Sequence, residues 1–337
     1  MLALAGCAGA SAGGQQRDSP DSGIDWRTIF ALPSNDVCSI HVYSPHDERT
    51  ALPAVASYCR QMGKPWITEE FGWEQSIGDR QRADNFARIY DLQGKHHSAG
   101  VGFWNLGAET AASTFAVNES TPMTLRIVRQ FTQGSGALAQ RPTSDGFVKT
   151  CGRQLCIDGQ PWRLHAGSAY GGLKDPISTV RLAQDSCLNT VRIVNFLAGE
   201  EEGRDPATAP FDEASWRQVD RLIAAAAEAN LRVILDLSTY RNLLLNAGVN
   251  PYTTDWGPVV DFATSRRNTM TGVRYRDDPT IALISLAGEV EPPANHKDLG
   301  VEPAHITAFF ARTLGQWKTA DPRHLVNTGG LIHLNAS

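Results

Sequence analysis

Short runs of apolar and β-branched residues recur along this chain and alternate with segments of helical periodicity. We predict strands at residues 36–43, 65–70, 100–106, 162–168, 189–194, 231–237, 280–286 and 324–328. Between two of these runs, Val219, Leu222, Ile223 and Ala226 follow the i, i+3, i+4, i+7 spacing of a helix with one buried face. Strands that alternate with helices are typical of a parallel sheet. Eight of them predict a closed (β/α)8 barrel of the α/β class, the TIM barrel.

Length and composition agree with a large folded domain. The 337 residues exceed the roughly 250 that an eight-stranded barrel typically needs. A hydrophobic share of 42% and a charged share of 20% are typical of a globular protein. The net charge is −5 and no run of Lys or Arg occurs, which argues against a nucleic-acid partner. The sequence also lacks an apolar stretch of about 18 residues, so we predict no transmembrane segment.

Residues 1–22 differ from the rest of the chain and predict a flexible tail. Within it, Leu4-Ala5-Gly6-Cys7 resembles a bacterial lipobox, the lipid-attachment motif of envelope lipoproteins. This motif predicts a location outside the cytoplasm, either secreted or lipid-anchored in the envelope. However, no basic residue precedes the motif and its apolar stretch is short. A flexible tail with a chance cysteine therefore stays open as the alternative.

Cysteine spacing gives a second, weaker indication of an oxidising compartment. Cys151 and Cys156 flank a turn-like stretch, so a local disulfide between them is plausible if the compartment is oxidising. The other cysteines are Cys7, Cys38, Cys59 and Cys187. No Cys/His spacing is typical of zinc. We therefore predict neither a metal nor a cofactor.

One linker-like segment interrupts the alternation of strands and helices. Residues 133–146 are rich in Gly, Ser and Pro. Directly after them, residues 147–149 and 154–157 read as a small hairpin that leads into the next strand. We therefore predict one domain over 23–337, with the linker dividing its strands into those of 23–132 and those of 147–337.

The two strongest motifs each contain a glutamate at the end of a predicted strand. Glu289 lies in TSRRNTMTGVRYRDDPTIALISLAGEVEPP at 264–293, just after the predicted strand at 280–286. Glu70 lies in KPWITEEFGW at 64–73, at the end of the predicted strand at 65–70. Both stretches resemble motifs of family 5 endo-β-1,4-mannanases, TIM barrels of clan A of the glycoside hydrolases. The resemblance implies that Glu289 is the general acid/base and Glu70 the nucleophile. Gly288 stands where the family has an asparagine that binds the sugar 2-hydroxyl.

Three further residues match family positions beside the nucleophile. Arg192, in Asn189-Thr190-Val191-Arg192, is similar to the second-strand arginine that hydrogen-bonds the nucleophile. His41 and Tyr43 resemble the HxY pair of the sixth strand. The resemblance implies that Arg192 and Tyr43 keep Glu70 ionised. For Glu69, the two-residue period of a strand predicts the opposite face, as a salt-bridge partner towards a helix or loop.

Aromatic and small residues complete the resemblance to a sugar-binding site. Trp104 resembles the eighth-strand sugar platform, and Ser168 and Tyr170 lie in a segment similar to the first-strand GxNxY motif, with serine in place of asparagine. We also assign Trp73 to substrate binding. Packing in the core or at the rim remains the alternative for Trp73 and Trp104.

The order of these motifs along the chain differs from the family order. Segments that resemble strands six to eight come first and those that resemble strands one to five follow, ending with Asp321-Pro322-Arg323-His324-Leu325-Val326. This order predicts a circularly permuted barrel, in which the strand at 324–328 pairs in parallel with the strand at 36–43. A truncated tandem of two barrels is the alternative, although it needs two independent cuts in the same loop.

Together the motifs predict a retaining glycoside hydrolase that acts on β-1,4-linked polysaccharide of the mannan type. Glycoside hydrolysis needs a carboxylic acid that protonates the leaving oxygen and a second carboxylate, so we expect Glu289 to have a raised pKa. The alternatives are a related β-glucanase or exo-glycosidase and, because Gly288 and Ser168 replace substrate-gripping side chains, a non-catalytic carbohydrate-binding barrel. A polysaccharide or oligosaccharide is the predicted partner, and we expect a monomer.

Overall fold

A computed structural model gives the structure of this protein and describes residues 23–107, 115–134, 146–197 and 203–334. Its strands are β1 Cys38–Val42, β2 Trp66–Phe71, β3 Gly100–Phe103, β4 Val148–Cys151, β5 Gln154–Ile157, β6 Gln160–Trp162, β7 Leu164–Ala169, β8 Thr190–Ile193, β9 Arg232–Asp236, β10 Ile281–Ser285 and β11 Leu325–Asn327. β4 to β6 form a separate three-stranded sheet, and the other strands form one eight-stranded sheet. Each strand of the larger sheet overlaps one of the eight predicted runs.

The eight-stranded sheet is parallel throughout and runs in the order β1-β2-β3-β7-β8-β9-β10-β11. Its two edge strands also meet. Val37 forms a parallel bridge with Asn327, and the Asp36 backbone N–H donates to the Val326 carbonyl at 3.0 Å. The predicted pairing of the last strand with the first is therefore confirmed, and it brings the two edges of the sheet together into a TIM barrel.

Nine helices lie within the described ranges, and most of them pack around the barrel. They are α1 Trp26–Ala31, α2 Leu52–Gln61, α3 Asp79–Lys95, α4 Pro122–Gly134, α5 Pro176–Asp185, α6 Glu213–Glu228, α7 Ser238–Asn246, α8 Gly257–Ser265 and α9 Pro303–Ala320. The periodic face that the sequence predicts for α6 is buried as expected, because Val219, Leu222, Ile223 and Ala226 all contribute to the core. At the start of α6, the Asp212 side chain accepts a hydrogen bond from the Ser215 backbone N–H.

The small antiparallel sheet of β4, β5 and β6 covers the amino-terminal end of the barrel. Its buried side chains Val148, Leu155 and Trp162 share one apolar cluster with Ile67 of β2 and Leu283 of β10. The predicted hairpin is thus confirmed. Of the predicted linker, residues 133 and 134 belong to α4, and residues 135–145 lie outside the described part of the chain.

Two disulfides tie elements of the fold together. Cys151 and Cys156 are bonded across the β4–β5 turn, as their spacing suggests, and Cys38 of β1 is bonded to Cys59 of α2. Cys187 is a free thiol. The lipobox-like motif lies outside the described residues. Among the helices that the structure describes, none is both long and apolar enough to cross a lipid bilayer.

Candidate active site

The carboxyl ends of the barrel strands bring the predicted catalytic residues together. His41 belongs to β1, Glu70 to β2 and Arg192 to β8, while Glu289 follows β10. These residues are distant in sequence, yet their side chains form one connected network of hydrogen bonds and ion pairs. Barrel enzymes place their catalytic groups at this end of the strands.

Glu70 is held by two donors on its two oxygens. The Tyr43 hydroxyl donates to Oε1 and the Arg192 Nη1 donates to Oε2, while the carboxylate is only 6% exposed. Tyr43 is placed by a tight turn, in which its backbone N–H and that of Ser44 donate to Asp47 Oδ2 at 3.0 and 2.8 Å. Burial and the charges of Glu70 and Glu289 raise the pKa of Tyr43 well above its usual value. Tyr43 therefore remains a hydrogen-bond donor to Glu70.

Arg192 is fixed by a buried aspartate that the motif comparison missed. Its Nε and Nη2 donate to Asp236 Oδ2 at 2.9 and 2.6 Å, and its Nη1 also donates to Ser168 Oγ at 3.1 Å. Burial acts to lower the pKa of Arg192, but the surrounding carboxylates, led by Asp236 and Glu70, raise it well above the usual value. Asp236 ends a predicted strand, which is the same signal that identified Glu289.

Glu289 and His41 form a second pair, with His41 Nδ1 and Glu289 Oε1 3.0 Å apart. Burial acts to raise the pKa of Glu289, but the hydrogen bond and charge of His41, with the nearby Arg241 and Arg192, lower it to about 2. Burial opposes protonation of His41, yet Glu70 and Glu289 raise its pKa overall. The expectation of a raised pKa at Glu289 is therefore wrong for the free site, because His41 and the nearby arginines lower this pKa instead.

The facing atoms of the two carboxylates and the imidazole lie close together. One ring nitrogen of His41, one carboxylate oxygen of Glu70 and one of Glu289 all lie within 4.8 Å of one another. Such a group has the residue types of a transition-metal site. However, Glu70 already accepts from Tyr43 and from the cationic Arg192. A cation at this place would have to compete with both.

Gly288 adopts a backbone conformation that suits glycine, with φ of +61°. A Cβ added there would lie 2.7 Å from the Ser238 Cβ. The space that an asparagine side chain would need is therefore filled by the start of α7. Gly330 is similarly confined, since its added Cβ would lie 2.0 Å from the His41 ring.

Comparison with known proteins gives a consistent result at modest identity. No model of a protein family matches the chain. It is 27% identical over 235 residues to mannan endo-1,4-beta-mannosidase 2 of Oryza sativa subsp. japonica, covering 58% of this chain and 49% of that protein. It is 26% identical over 220 residues to mannan endo-1,4-beta-mannosidase 3 of Arabidopsis thaliana, covering 56% and 51%. The chain is therefore similar to curated mannan endo-1,4-beta-mannosidases.

The chain spans about half the length of the curated relatives it matches. Among solved structures, an endo-1,4-beta-mannanase from Rhizomucor miehei superposes with a TM-score of 0.44 at 22% identity, over 55% of this chain and 60% of that one. A glycoside hydrolase family 5 mannosidase from Rhizomucor miehei gives 0.44 at 16% identity, over 58% of each chain.

The aromatic residues of this mannanase-like barrel fall into two groups. Trp104 follows β3 and meets Tyr170, which follows β7, with ring centroids 5.2 Å apart. Trp73 instead packs against Phe71 and Phe86, and the Arg88 guanidinium lies over its ring. Trp104 and Tyr170 are therefore at the carboxyl end of adjacent strands, while the contacts of Trp73 are with core residues. The assignment of these three residues to substrate binding stays a prediction.

Ser168 and Glu69 lie deeper in the mannanase-like barrel than the sequence suggests. Ser168 is fully buried and its oxygen accepts from Arg192, so it supports the arginine from below. Glu69 is also fully buried, and its carboxylate faces the inside of the barrel. The prediction that Glu69 points towards a helix or loop is therefore wrong. Thr68 has that orientation, since it accepts from Gln93 of α3 at 2.9 Å.

Proposed function

We propose that this protein is a retaining glycoside hydrolase that cleaves β-1,4-linked polysaccharide of the mannan type. The observation that carries the proposal is the pair of facing glutamates, one bound by an arginine and one hydrogen-bonded to a histidine. Sequence similarity to curated mannan endo-1,4-beta-mannosidases supports the glycoside hydrolase class. Glu70 and Glu289 are the catalytic residues in this proposal.

In the first step Glu70 attacks the anomeric carbon and forms a bond to it while the bond to the leaving oxygen breaks. Glu289 gives its proton to that oxygen, so the sugar or polysaccharide leaves as a neutral alcohol. The proton reaches Glu289 from His41 along their 3.0 Å contact. Entry of a sugar excludes water from this pair, and a less polar surrounding favours the neutral His41 and the protonated Glu289 over the two ions.

In the second step a water molecule attacks the anomeric carbon of the glycosyl-enzyme. Glu289 takes a proton from this water, the bond to Glu70 breaks and the carboxylate of Glu70 is released. Arg192 and Tyr43 donate to both oxygens of Glu70, which makes it a better leaving group at this stage.

The separation of the carboxylates supports retention of configuration. Retaining enzymes hold the two groups about 5–5.5 Å apart, whereas inverting enzymes need about 6.5–9.5 Å to fit a water between them. The facing oxygens of Glu70 and Glu289 belong to a set in which every atom is within 4.8 Å of the others. A nearest-oxygen separation of this size is compatible with the retaining arrangement.

The test measures reducing-sugar release from mannan, glucomannan and cellulose, with the anomeric form of the first product followed by NMR. We expect mannan to be cleaved fastest, with the β-anomer formed first. Faster cleavage of cellulose would favour a β-glucanase, and release of single sugars alone would favour an exo-glycosidase. Binding of mannan without turnover of it or of an activated aryl mannoside would contradict the enzyme and leave a carbohydrate-binding barrel.

The permuted strand order is part of the proposal. One barrel contains each family-like segment once. Around the barrel the strands follow the family order, because the last strand, β11, lies beside the first strand, β1. A rearranged gene can test it, with residues 147–334 placed before 23–132 and a flexible linker joining 334 to 23. We expect this protein to fold and to keep its activity. Loss of folding with every linker length would contradict the permutation.

We further propose an extracytoplasmic location and a monomeric state. Two disulfides within the described residues support the first, since such bonds persist in oxidising compartments. Titration of thiols in protein isolated from its native host should find Cys38, Cys59, Cys151 and Cys156 oxidised. Light scattering at micromolar concentration should give the mass of one chain. Reduced cysteines or a larger mass would contradict the respective proposal.

A further inference from the structure

The strand that carries the nucleophile places two consecutive glutamates on the inner side of the barrel. β1 and β2 pair as Ile40 with Thr68 and then His41 with Glu70, so the register skips Glu69. Such a bulge changes the direction of the residues that follow it. Phe71 consequently points outward, where its ring packs on Phe86 and Tyr90 of α3. Glu69 is an extra carboxylate directly below the site.

Glu69 accepts hydrogen bonds from three strands besides its own. The Ser39 hydroxyl of β1 and the Asn327 amide of β11, at 2.9 Å, donate to Oε2, and the Ser285 hydroxyl of β10 donates to Oε1. Arg192 of β8 completes the set, with its Nε 3.5 Å from Oε1. Three of the four strands also carry or lead to site residues, since β1 carries His41, β10 leads to Glu289 and Arg192 of β8 binds Glu70.

Two of the partners of Glu69 can act only as donors towards it. The Asn327 Oδ1 accepts from the Gly329 backbone N–H at 2.9 Å, so the amide group must turn its N–H to Glu69. Arg192 likewise has only donors. Asn327 and Arg192 can therefore only donate to Glu69, and the Ser39 and Ser285 hydroxyls donate to it as well.

The guanidinium of Arg192 consequently contacts two buried carboxylates, Asp236 and Glu69, in addition to Glu70. Asp236 binds the edge formed by Nε and Nη2, and Glu69 lies beside Nε. The remaining nitrogen, Nη1, is presented to Glu70. Movement of the guanidinium in either direction would break a buried ion pair, which is costly because the remaining partner stays buried without a counter-charge.

We propose that Glu69 is a positioning residue that sets the orientation of Arg192 and, through Ser39 and Ser285, the spacing of the two catalytic strands. This inference rests on the proposed function. Glu69 touches neither the substrate nor the reacting atoms, because it is fully buried below them. Its effect therefore reaches the reaction through Arg192 and the strand positions, and it concerns turnover more than substrate affinity.

The experiment replaces Glu69 by glutamine, which keeps the shape and removes the charge. The resulting amide N–H would oppose the donors of Asn327 or Arg192, so we expect kcat on mannan to fall about 10- to 100-fold with KM within about 3-fold. The matched control is Asp220→Asn. Asp220 is a fully buried carboxylate of α6 that accepts from Arg266 at 2.7 Å. Its other side-chain partners, Thr269 and Tyr275, are not residues of the site. Its loss should lower the melting temperature and leave kcat per folded molecule unchanged.

A double-mutant cycle separates positioning from general damage. In an Arg192→Met background, Glu69→Gln should cost less than about 3-fold in kcat, because its main route of action is already lost. Equal factors in both backgrounds, or an unchanged kcat in Glu69→Gln alone, would overturn the inference. If Glu69→Gln does not fold, Glu69→Asp enters the same cycle. Wild type and Glu70→Gln are measured in parallel, so an inactive wild type would count against the proposed function and an active one isolates the role of Glu69.

Discussion

The two ends of the barrel are built from the same strands but are filled with different chemistry. At the amino-terminal end the interior is apolar, and its cluster includes Val37, Ile67, Leu164, Ile234, Leu283 and Leu325. The hairpin strands β4 to β6 cover it with Leu155 and Trp162. At the carboxyl end the interior contains Glu69, Glu70, Arg192 and Asp236, all of them buried.

This difference separates the source of stability from the source of activity. Apolar side chains at the lower end gain free energy from burial without needing partners. Charged side chains at the upper end lose the free energy of hydration when they are buried. Their ion pairs and hydrogen bonds only offset this loss, so they add little net stability. We therefore expect substitutions at the lower end to change the free energy of unfolding and those at the upper end to change turnover.

The largest expected effect is at the two catalytic glutamates. Glu289→Gln should lower kcat by about 10²- to 10⁴-fold on mannan, because proton transfer is lost, and Glu70→Gln by at least as much, because no covalent bond can form. Neither should lower the melting temperature by more than a few degrees. Glu291→Gln is the control, since Glu291 lies in the same loop and pairs with His296 at 3.2 Å. Near-wild-type activity in either glutamine variant would remove that residue from its proposed role.

At the opposite end, Trp162→Ala should be costly in stability alone. Trp162 is 3% exposed and fills the apolar cluster under the barrel. Its removal should lower the free energy of unfolding by about 3–5 kcal/mol in urea titrations, while kcat at a temperature where the variant is folded stays within about 2-fold. Met270→Ala, at a side chain that is 61% exposed, serves as the control. A large drop in kcat in folded Trp162→Ala would show that the two ends are coupled.

Gly288→Asn tests whether the upper end still has the family arrangement. From sequence alone, asparagine at 288 should improve turnover if the binding pocket keeps the family geometry. The structure predicts the reverse, because the new Cβ would collide with Ser238 2.7 Å away, and we expect kcat/KM to fall about 10-fold. Gly300→Asn is the matched control, since Gly300 has φ of +64° but nothing within 4 Å of its added Cβ. Improved turnover in Gly288→Asn would mean that the loop relaxes and that Ser238 does not define the pocket.

The smallest expected effect is a pH dependence of stability from His41 and Glu289. The pKa of His41 is raised from 6.5, so its contribution is complete below that pH and is lost as pH rises through the raised value. The pKa of Glu289 is lowered from 4.5 to about 2, so its contribution is present above 4.5 and is lost as pH falls towards 2. Activity should also decline on the basic side, as the pair loses its proton.

Melting temperatures and initial rates across this pH range test the assignment. The Glu289 side chain is 40% exposed, so the stability change should be modest. In His41→Gln the basic decline in rate should disappear or move, and the melting temperature should become flatter between pH 6 and the raised pKa. An unchanged profile would assign the basic limb to another group.

The sequence predicts the elements of this fold better than the details of the site. Strand positions, the hairpin and the pairing of the outer strands follow from local periodicity and from motif order, which one sequence contains. The inward direction of both Glu69 and Glu70 depends on a bulge between β1 and β2, and nothing local in the sequence marks it. The Cys38–Cys59 bond likewise depends on how α2 packs on β1.

Two properties of the site could not be inferred without its neighbours. The lowered pKa of Glu289 results from His41, which is distant in sequence, and a motif assigns a role without fixing the charge balance around it. Ser238 fills the space beside Gly288 because α7 begins there, which is a fact of packing. The sequence therefore predicts that Glu70, Glu289, His41 and Arg192 meet, but it does not predict the charge balance around them or the packing beside Gly288.

The pairing of β11 with β1 also affects when hydrolytic activity returns during refolding. Val326 contacts Asp36 although 290 residues separate them in the chain. Contacts of such separation form late in folding, because a long loop must lose its entropy before the contact is made. His41 and Glu70 lie on one arm of the chain, and Arg192 and Glu289 on the other. After dilution from denaturant we therefore expect helical circular dichroism to return first and hydrolysis to return last, with the slowest refolding phase.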